Sequence, residues 1–126
     1  MIFSLNMSSE TPIYVQLRNQ IVLGIGSGEL LPGEQLPTVR QLAEDIGVNN
    51  MTVNKAYQIL KSEGYIVIDR RHGAKVAEIQ KSDAEYKKDL KEKMELAAAE
   101  AKAHGMDFAE YIKFCEAAYG KASPES

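Results

Sequence analysis

The sequence predicts a mainly helical α+β fold in which a compact N-terminal domain is followed by two further helices. Apolar residues recur at helical spacing in three segments before residue 64, and a β-branched hairpin pattern occupies residues 65–77. The composition changes near residue 80, after which Ala, Glu, Lys and Leu dominate, as is typical of long exposed helices. We therefore expect two domains, residues 1–79 and residues 80–126.

The first helix is predicted over residues 12–26. Thr11 followed by Pro12 fits an N-cap with proline at the first helical position. The inward positions that repeat at helical spacing are Tyr14, Leu17, Ile21 and Ile25. A loop rich in glycine and proline follows this helix. Residues 1–5 are a candidate for a short additional strand.

Two more helices are predicted, separated by a tight turn. Thr38 and Gln41 have the spacing of a capping box, so the second helix begins at residue 39 and ends before Gly47. Asn49 is a favourable N-cap for the third helix, which ends at Gly64. The inward stripe of the third helix consists of Val53, Ala56, Tyr57 and Leu60.

A two-stranded hairpin completes the first domain, with residues 69–73 as its polar tip. Two helices, a turn, a third helix and a basic hairpin occur in the order of a winged helix-turn-helix. The whole chain has a net charge of −3, but residues 49–76 carry five basic side chains against two acidic ones, a local net charge of +3. We expect this domain to bind DNA; the alternative is a small α+β domain that uses the same elements only for packing.

Two helices are predicted after residue 80, over residues 83–103 and from residue 108 onward, the second capped by Asp107. Each has one narrow apolar seam, and two such short helices bury too little surface to be stable alone. They therefore need a partner, either the first domain or a second copy, and we expect a dimerisation hairpin. Its seam residues are Leu90, Met94, Ala97, Ala101, Phe108, Ile112, Cys115 and Tyr119.

The composition excludes several other classes of protein. Of 126 residues, 44% are hydrophobic and 26% are charged, which is typical of a folded chain. Cys115 is the only cysteine, so an internal disulfide is impossible and a reducing compartment is favoured. The first ten residues lack the pattern of a signal peptide, and no stretch approaches the ~20 apolar residues that span a membrane. We expect a cytoplasmic protein.

No pattern in the sequence indicates enzymatic chemistry or a cofactor. No histidine is spaced to activate Cys115, and no glycine-rich phosphate loop is present. Glu100 and His104, with Asp107, are the weak candidate for a metal site, but a solvated helix end explains them better. We expect no enzymatic activity, no cofactor and no resident metal.

The segments PIYVQLRNQI, GELLPGEQLPTVRQLAEDIGV and TVNKAYQILKSEGYI resemble the N-terminal domain of the GntR family of bacterial transcription regulators. The resemblance covers residues 12–76, and the short tail and Asn49 resemble the YtrA-like subgroup. It implies a sequence-specific regulator, a repressor, that binds an inverted-repeat operator in double-stranded DNA as a homodimer. A small-molecule effector is neither required nor excluded. The alternative function is a winged-helix protein–protein adaptor without DNA-binding activity.

The resemblance also implies the DNA-binding residues. Arg40 stands where the family's arginine contacts DNA, and a cation is unfavourable at a helix N-terminus unless it has an anionic or base partner. The third helix is the recognition helix, on which Asn54 suits adenine and Lys55 suits guanine or phosphate. The hairpin tip is implied to enter or skirt the minor groove. The complete set is Thr38, Arg40, Asn49, Asn50, Met51, Thr52, Asn54, Lys55, Arg70, Arg71, His72 and Gly73.

The sequence departs from the family pattern at Asn49 and Asn50. Many members carry a Ser/Thr-Arg pair there, and that arginine reads guanine. For Asn49 the capping role is the simpler explanation. An operator inferred from those relatives therefore does not transfer to this chain.

Overall fold

The computed structural model describes residues 3–79 and 81–121, which contain five helices and one two-stranded antiparallel sheet. The helices are α1 (Ile13–Ser27), α2 (Val39–Ile46), α3 (Asn50–Ser62), α4 (Ala84–Ala103) and α5 (Phe108–Lys121). The strands are β1 (Ile66–Asp69) and β2 (Gly73–Val76). This architecture confirms the predicted fold class. In the described part of the chain, no helix is long and apolar enough to cross a bilayer.

The described chain forms two compact units, of which the N-terminal one ends at Glu78 and the C-terminal one spans Ile79–Lys121. The N-terminal unit is built around α3, which packs against α1, α2 and β1. The predicted inward stripe of α3 is buried as expected, because its four apolar side chains face the neighbouring helices. The buried core consists of Leu17, Ile21, Leu30, Leu36, Leu42, Ala43, Val53, Ala56, Tyr57, Leu60, Ile66, Ala74 and Val76.

The predicted ends of α2 and α3 are confirmed by their caps. The hydroxyl of Thr38 accepts a hydrogen bond from Gln41 N at 3.1 Å, and Gln41 Oε1 accepts one from Thr38 N at 3.2 Å. Gly47 ends α2 with a φ of 74°, a conformation that favours glycine. The predicted cap of α1 is wrong: Pro12 occupies the N-cap position and no side chain caps the helix. The carbonyl of Thr11 instead accepts a hydrogen bond from Gln16 Nε2.

Two glutamines of α1 hold the segment that precedes it. Gln20 accepts a hydrogen bond from Ser4 N at 2.9 Å and donates one to Ser4 O, while Gln16 bonds in the same reciprocal way with Asn6. Side-chain amides thus take the place of a neighbouring strand. The predicted strand at residues 1–5 is not formed by residues 3–5, and its first two residues lie outside the described part.

The hairpin is extended by a third stretch of main chain. Ile66 pairs with Val76 and Asp69 with Gly73 in the register of β1 and β2. On the other edge of β2, Leu36 N donates to Ala74 O at 2.9 Å and Val76 N donates to the carbonyl of residue 34 at 2.9 Å. The loop before α2 is therefore fixed to the hairpin by main-chain hydrogen bonds.

The helices of the C-terminal unit are well formed, but none of the described side chains of α4 and α5 is buried. Asp83 Oδ1 accepts a hydrogen bond from Tyr86 N at 2.8 Å, and the predicted cap Asp107 accepts one from Glu110 N at 2.9 Å. Gly105 lies between the helices with a φ of 82°. No residue of α4 is buried, and the described side chains of α5 are half-buried or exposed.

Candidate nucleic-acid interface

The helix-turn-helix is formed by α2, the turn around Gly47, and α3. Because one side of α3 is buried against α1 and α2, the opposite arc is exposed. Met51 is 80% exposed in the first turn of α3. The other exposed residues on this arc are Asn50, Asn54, Lys55 and Gln58, whereas Thr52 is half-buried.

Asn49 and Thr52 are engaged with each other at the start of α3. Asn49 Oδ1 accepts hydrogen bonds from Thr52 N at 2.9 Å and from Thr52 Oγ1 at 3.0 Å. This is the capping role expected for Asn49, since the amide oxygen satisfies a main-chain N–H that the helix leaves unpaired. Of the residues implied to bind DNA on α3, these two therefore have structural tasks of their own.

Arg40 lies in the first turn of α2 and is exposed. Its guanidinium makes no ion pair or hydrogen bond within residues 3–79 and 81–121. The helix dipole adds a partial positive charge at this end of α2, so both the guanidinium and the helix N-terminus would stabilise an anionic partner. Thr38, two residues earlier, is occupied by the capping box.

Tyr57 joins α3 to the chain just before α2. Its ring is only 2% exposed, and its hydroxyl donates a hydrogen bond to Pro37 O at 2.7 Å. Burial raises the pKa of the Tyr57 hydroxyl, which stays protonated and able to donate. The sequence placed Tyr57 in the core, but the partner of its hydroxyl lies 20 residues away and has no local signal.

Lys55 has a contact that the sequence did not predict. Its ammonium lies 4.0 Å from the centroid of the Tyr14 ring on α1, which is a cation–π geometry. Lys55 and Tyr14 are 41 residues apart in the sequence, so no helical or strand periodicity could have predicted that their side chains meet. The contact holds one cation of the recognition helix against α1.

Asp69 organises the hairpin tip. Its Oδ1 accepts hydrogen bonds from the main-chain N of Arg71 and of His72, each at 2.7 Å, and its Oδ2 lies 3.0 Å from His72 Nδ1. These bonds, chiefly those from His72, lower the pKa of Asp69 to about 2. Gly73 follows with a φ of 72°, a left-handed conformation that glycine adopts without steric cost.

The tip is also tied to the loop before α2, since Gln35 Nε2 donates to His72 O at 2.7 Å. The side chains of Arg70 and Arg71 are exposed and have no ion-pair partner in the described chain. The fixed main chain thus presents two adjacent guanidinium groups to solvent.

Both acidic residues within the basic segment have partners. Arg18 of α1 donates to Glu63 through Nε at 2.9 Å and Nη2 at 3.3 Å, and this bond raises the Arg18 pKa further. Asp69 is paired with His72 as described. Arg18 lies outside this segment and offsets the negative charge of Glu63, which strengthens the local positive potential, whereas the hydrogen bonds from His72 leave Asp69 ionised.

Six of the eight predicted seam residues of the C-terminal unit are exposed, and the other two, Ala101 and Ile112, are half-buried. Met94 is 57% exposed, Phe108 79% and Tyr119 82%, and Cys115 is a free, exposed thiol. A shallow groove of about 450 Å³ runs along α4 and is lined by Lys87, Leu90, Lys91, Met94, Glu95, Ala98 and Tyr111. Sequence reasoning missed Leu96 and Phe114, which are also exposed but lie off the seam.

The candidate metal residues do not assemble a site. His104 Nδ1 lies 2.8 Å from the carbonyl of Glu100, so the imidazole serves the end of α4. In the part of the chain that the structure describes, no three histidine, cysteine or acidic side chains come close enough to hold an ion.

Residues 11–76 match a family model described as bacterial regulatory proteins of the gntR family. The HTH-type transcriptional regulator Rv1152 of Mycobacterium tuberculosis is 38% identical over 88 residues, which are 70% of this chain and 73% of that protein. The HTH-type transcriptional repressor YtrA of Bacillus subtilis is 42% identical over 74 residues, which cover 59% of this chain and 57% of that one.

Solved structures give the same result for the fold. A transcriptional antiterminator from Listeria monocytogenes has a TM-score of 0.86 at 28% identity, covering 92% of this chain and 88% of that one. YtrA from Sulfolobus acidocaldarius has a TM-score of 0.67 at 38% identity, covering 79% and 99%. The DNA-binding domain of AraR in complex with operator ORE1 has a TM-score of 0.52 at 30% identity, covering 61% and 94%.

Proposed function

Because this chain belongs to the GntR family of bacterial regulatory proteins and is YtrA-like, we propose that it is a repressor that binds an inverted-repeat operator as a homodimer. The observation that carries this proposal is the set of unpaired cations in the N-terminal unit: Arg40, Arg70 and Arg71 are exposed and have no anionic partner in the described chain. Such cations are suited to the phosphates of a duplex.

DNA binding is assigned to residues 1–79. We assign phosphate contacts to Arg40 at the start of α2 and to the two arginines of the hairpin tip, and base contacts to the exposed arc of α3. Support comes from the AraR DNA-binding domain, which has the same fold and is bound to an operator. The acting compartment is then the cytoplasm, where a bacterial chromosome lies, and no enzymatic step is required.

Dimerisation is assigned to residues 80–126, through the seam of α4 and α5. The described side chains of α4 and α5 include none that is buried, so these helices gain little from their own packing and their apolar side chains need another surface. A second copy offers an identical apolar groove, and a twofold dimer closes on itself without further growth. Its two recognition helices then face half-sites about 34 Å apart, which gives the operator its inverted repeat.

Repression follows from occupancy of the operator. The N-terminal unit is matched by proteins named as repressors, among them YtrA of Bacillus subtilis. A protein of this kind blocks transcription where its operator overlaps the path of the polymerase. An effector, where one acts, changes affinity only by its differential binding to two dimer geometries.

The proposal is tested by fluorescence anisotropy of the full-length protein on operator duplexes selected from the host genome, between 50 and 200 mM salt. We expect steep weakening with salt. Arg40→Ala should weaken binding to operator and unrelated duplex alike and reduce the salt slope by about one. Lys88→Ala, a loss of the same charge on α4, is the matched control and should leave the slope unchanged. A folded protein that binds no duplex at 50 mM salt contradicts the proposal.

A further inference from the structure

We propose that the first two turns of α3 read A·T base pairs instead of guanine in the major groove, with Met51 against thymine methyl groups and Asn50 and Asn54 paired with adenine. The inference rests on the proposed DNA-binding function and narrows the class of operator. The preference for A·T pairs is inferred from the side chains of α3: some already have contacts within the protein, and the others are free to contact a base edge.

In the first two turns of α3, the side chains that could read guanine are missing or engaged. Guanine is read most often by arginine or lysine, through its O6 and N7 acceptors. The helix α3 contains no arginine. Lys55 holds its ammonium 4.0 Å from the centroid of the Tyr14 ring, so using it on a base means giving up that contact.

The cap of α3 removes two further polar groups. Asn49 Oδ1 already accepts two hydrogen bonds, and Thr52 Oγ1 donates one of them. Either side chain could reach a base only by exposing main-chain N–H groups of the first turn. Base readout therefore falls to the side chains without such tasks, which begin with Asn50 and Met51.

Met51 is the most exposed large apolar side chain in the described N-terminal unit, at 80%. An unbranched thioether in the first turn of a recognition helix is placed where such helices contact base edges. The C5-methyl of thymine is the one apolar group that a base edge offers in the major groove. Met51 in contact with it would remove apolar surface of both partners from water.

Asn50 and Asn54 supply the complementary polar readers. Neither side chain has a hydrogen bond within the part of the chain that the structure describes. They are four residues apart and so lie on the same side of the helix, about 6 Å apart along its axis. Since bases are stacked about 3.4 Å apart, the two amides reach base pairs roughly two steps apart. A carboxamide matches the N6 donor and N7 acceptor of adenine at once.

The first test compares operators that differ only by a methyl group. With the full-length protein, replacing thymine by deoxyuridine at the positions facing α3 should weaken binding about fourfold in each half-site, the effect of one buried methyl group. Met51→Ala should abolish this difference. Leu23→Ala, which removes an apolar side chain that is 63% exposed on α1, should leave it intact.

The second test changes the base that is preferred. Selection from random duplexes should give A·T pairs opposite the start of α3, and Asn50→Arg should select guanine at one position in each half-site. Asn54→Ala should weaken binding to the selected operator about 5- to 150-fold, and 7-deazaadenine, which lacks only the N7 acceptor, should reproduce part of this loss with the wild-type protein.

Guanine selected opposite α3 by the wild-type protein, or an unchanged deoxyuridine effect in Met51→Ala, overturns this inference while leaving the proposed function intact. Absence of selective binding to any duplex overturns the proposed function itself, so the two failures are distinguishable.

Discussion

The two units of this chain treat apolar side chains in opposite ways. In the N-terminal unit, thirteen hydrophobic residues are buried around α3, and side chains such as Leu17 and Val53 have no exposed surface. In the C-terminal unit, no residue of α4 is buried and large side chains such as Phe108 are open to solvent. The N-terminal unit therefore has a hydrophobic core of its own, whereas the large apolar side chains of the C-terminal unit are exposed to solvent.

Because of this difference, truncating an apolar side chain should change the free energy of unfolding in the N-terminal unit but the association of two chains in the C-terminal unit. Removing a buried apolar group from the N-terminal unit directly lowers the free energy of unfolding, which means that the unit becomes less stable. Changing an apolar group on α4 or α5 acts on the association of two chains, and through it on any stability that depends on protein concentration. Matched pairs of variants, one in each unit or one on and one off the seam, test whether the two units differ in this way.

The largest effect is expected from a charge placed on the seam. Ala97→Asp puts a carboxylate into the proposed dimer interface, where an uncompensated buried charge costs about 3–5 kcal/mol, so the protein should sediment as a monomer. Ala99→Asp is the matched control, because positions two residues apart lie about 200° apart on a helix. Both alanines are exposed in the single chain. Equal sedimentation of the two variants would argue against a seam at Ala97.

The next effect concerns the interior of the N-terminal unit. Leu60→Ala truncates a side chain with 0% exposure, which should cost about 2–5 kcal/mol of folding free energy through lost burial and a cavity. Leu96→Ala on α4, where the side chain is 64% exposed, should change the folding free energy by less than about 0.5 kcal/mol. Urea unfolding at two protein concentrations measures both, and a similar cost for the two variants would remove the distinction between the units.

A smaller effect is expected at the buried hydroxyl of Tyr57. Tyr57→Phe leaves Pro37 O without its donor, which should cost about 1–3 kcal/mol. Burial raises the pKa of Tyr57, so the unfolded chain ionises first and the wild type loses stability as pH rises above about 10. The difference between wild type and Tyr57→Phe should therefore shrink above that pH. A difference that grows in urea unfolding at pH 11 would contradict this account.

Features encoded by neighbouring residues were predictable from sequence, whereas those encoded by distant pairs were not. The caps at Thr38 and Asn49 and the buried stripe of α3 depend on spacings of three or four residues, and each is found as predicted. The Lys55–Tyr14 contact and the Gln35–His72 hydrogen bond join parts of the chain with no shared periodicity. Sequence pattern could name Lys55 as a DNA reader but could not show that its ammonium is already engaged.

The hydrogen bonds of the Gln16 and Gln20 side-chain amides are a second feature that joins distant parts of the chain and could not be predicted from sequence. A short strand was predicted for residues 1–5, but Phe3 packs against the core and the main-chain N–H groups of Ser4 and Asn6 donate hydrogen bonds to glutamine side chains of α1. Main-chain groups need partners, and two glutamines one helical turn apart can supply them as well as a strand can. Nothing in the local pattern distinguishes these glutamines from solvated ones.

The smallest effect is expected at the hairpin tip, where a single carboxylate makes three hydrogen bonds with two residues, Arg71 and His72. The pKa of Asp69 is about 2 in the folded chain against an ordinary value of 3.8, so the folded state binds the proton less well than the unfolded state. The stabilisation from Asp69 is therefore complete above about pH 4 and is lost as pH falls toward 2.

The loss should be local, because the carboxylate is exposed and bonds only within the tip. Amide resonances of Arg71 and His72, followed by NMR, should titrate with a midpoint near the Asp69 pKa of about 2, while those of α3 move only with global unfolding. Asp69→Asn keeps an acceptor for the two N–H groups but has no proton to take up, so the transition should vanish in that variant. A midpoint near 4 in the wild type would mean that the carboxylate does not order the tip.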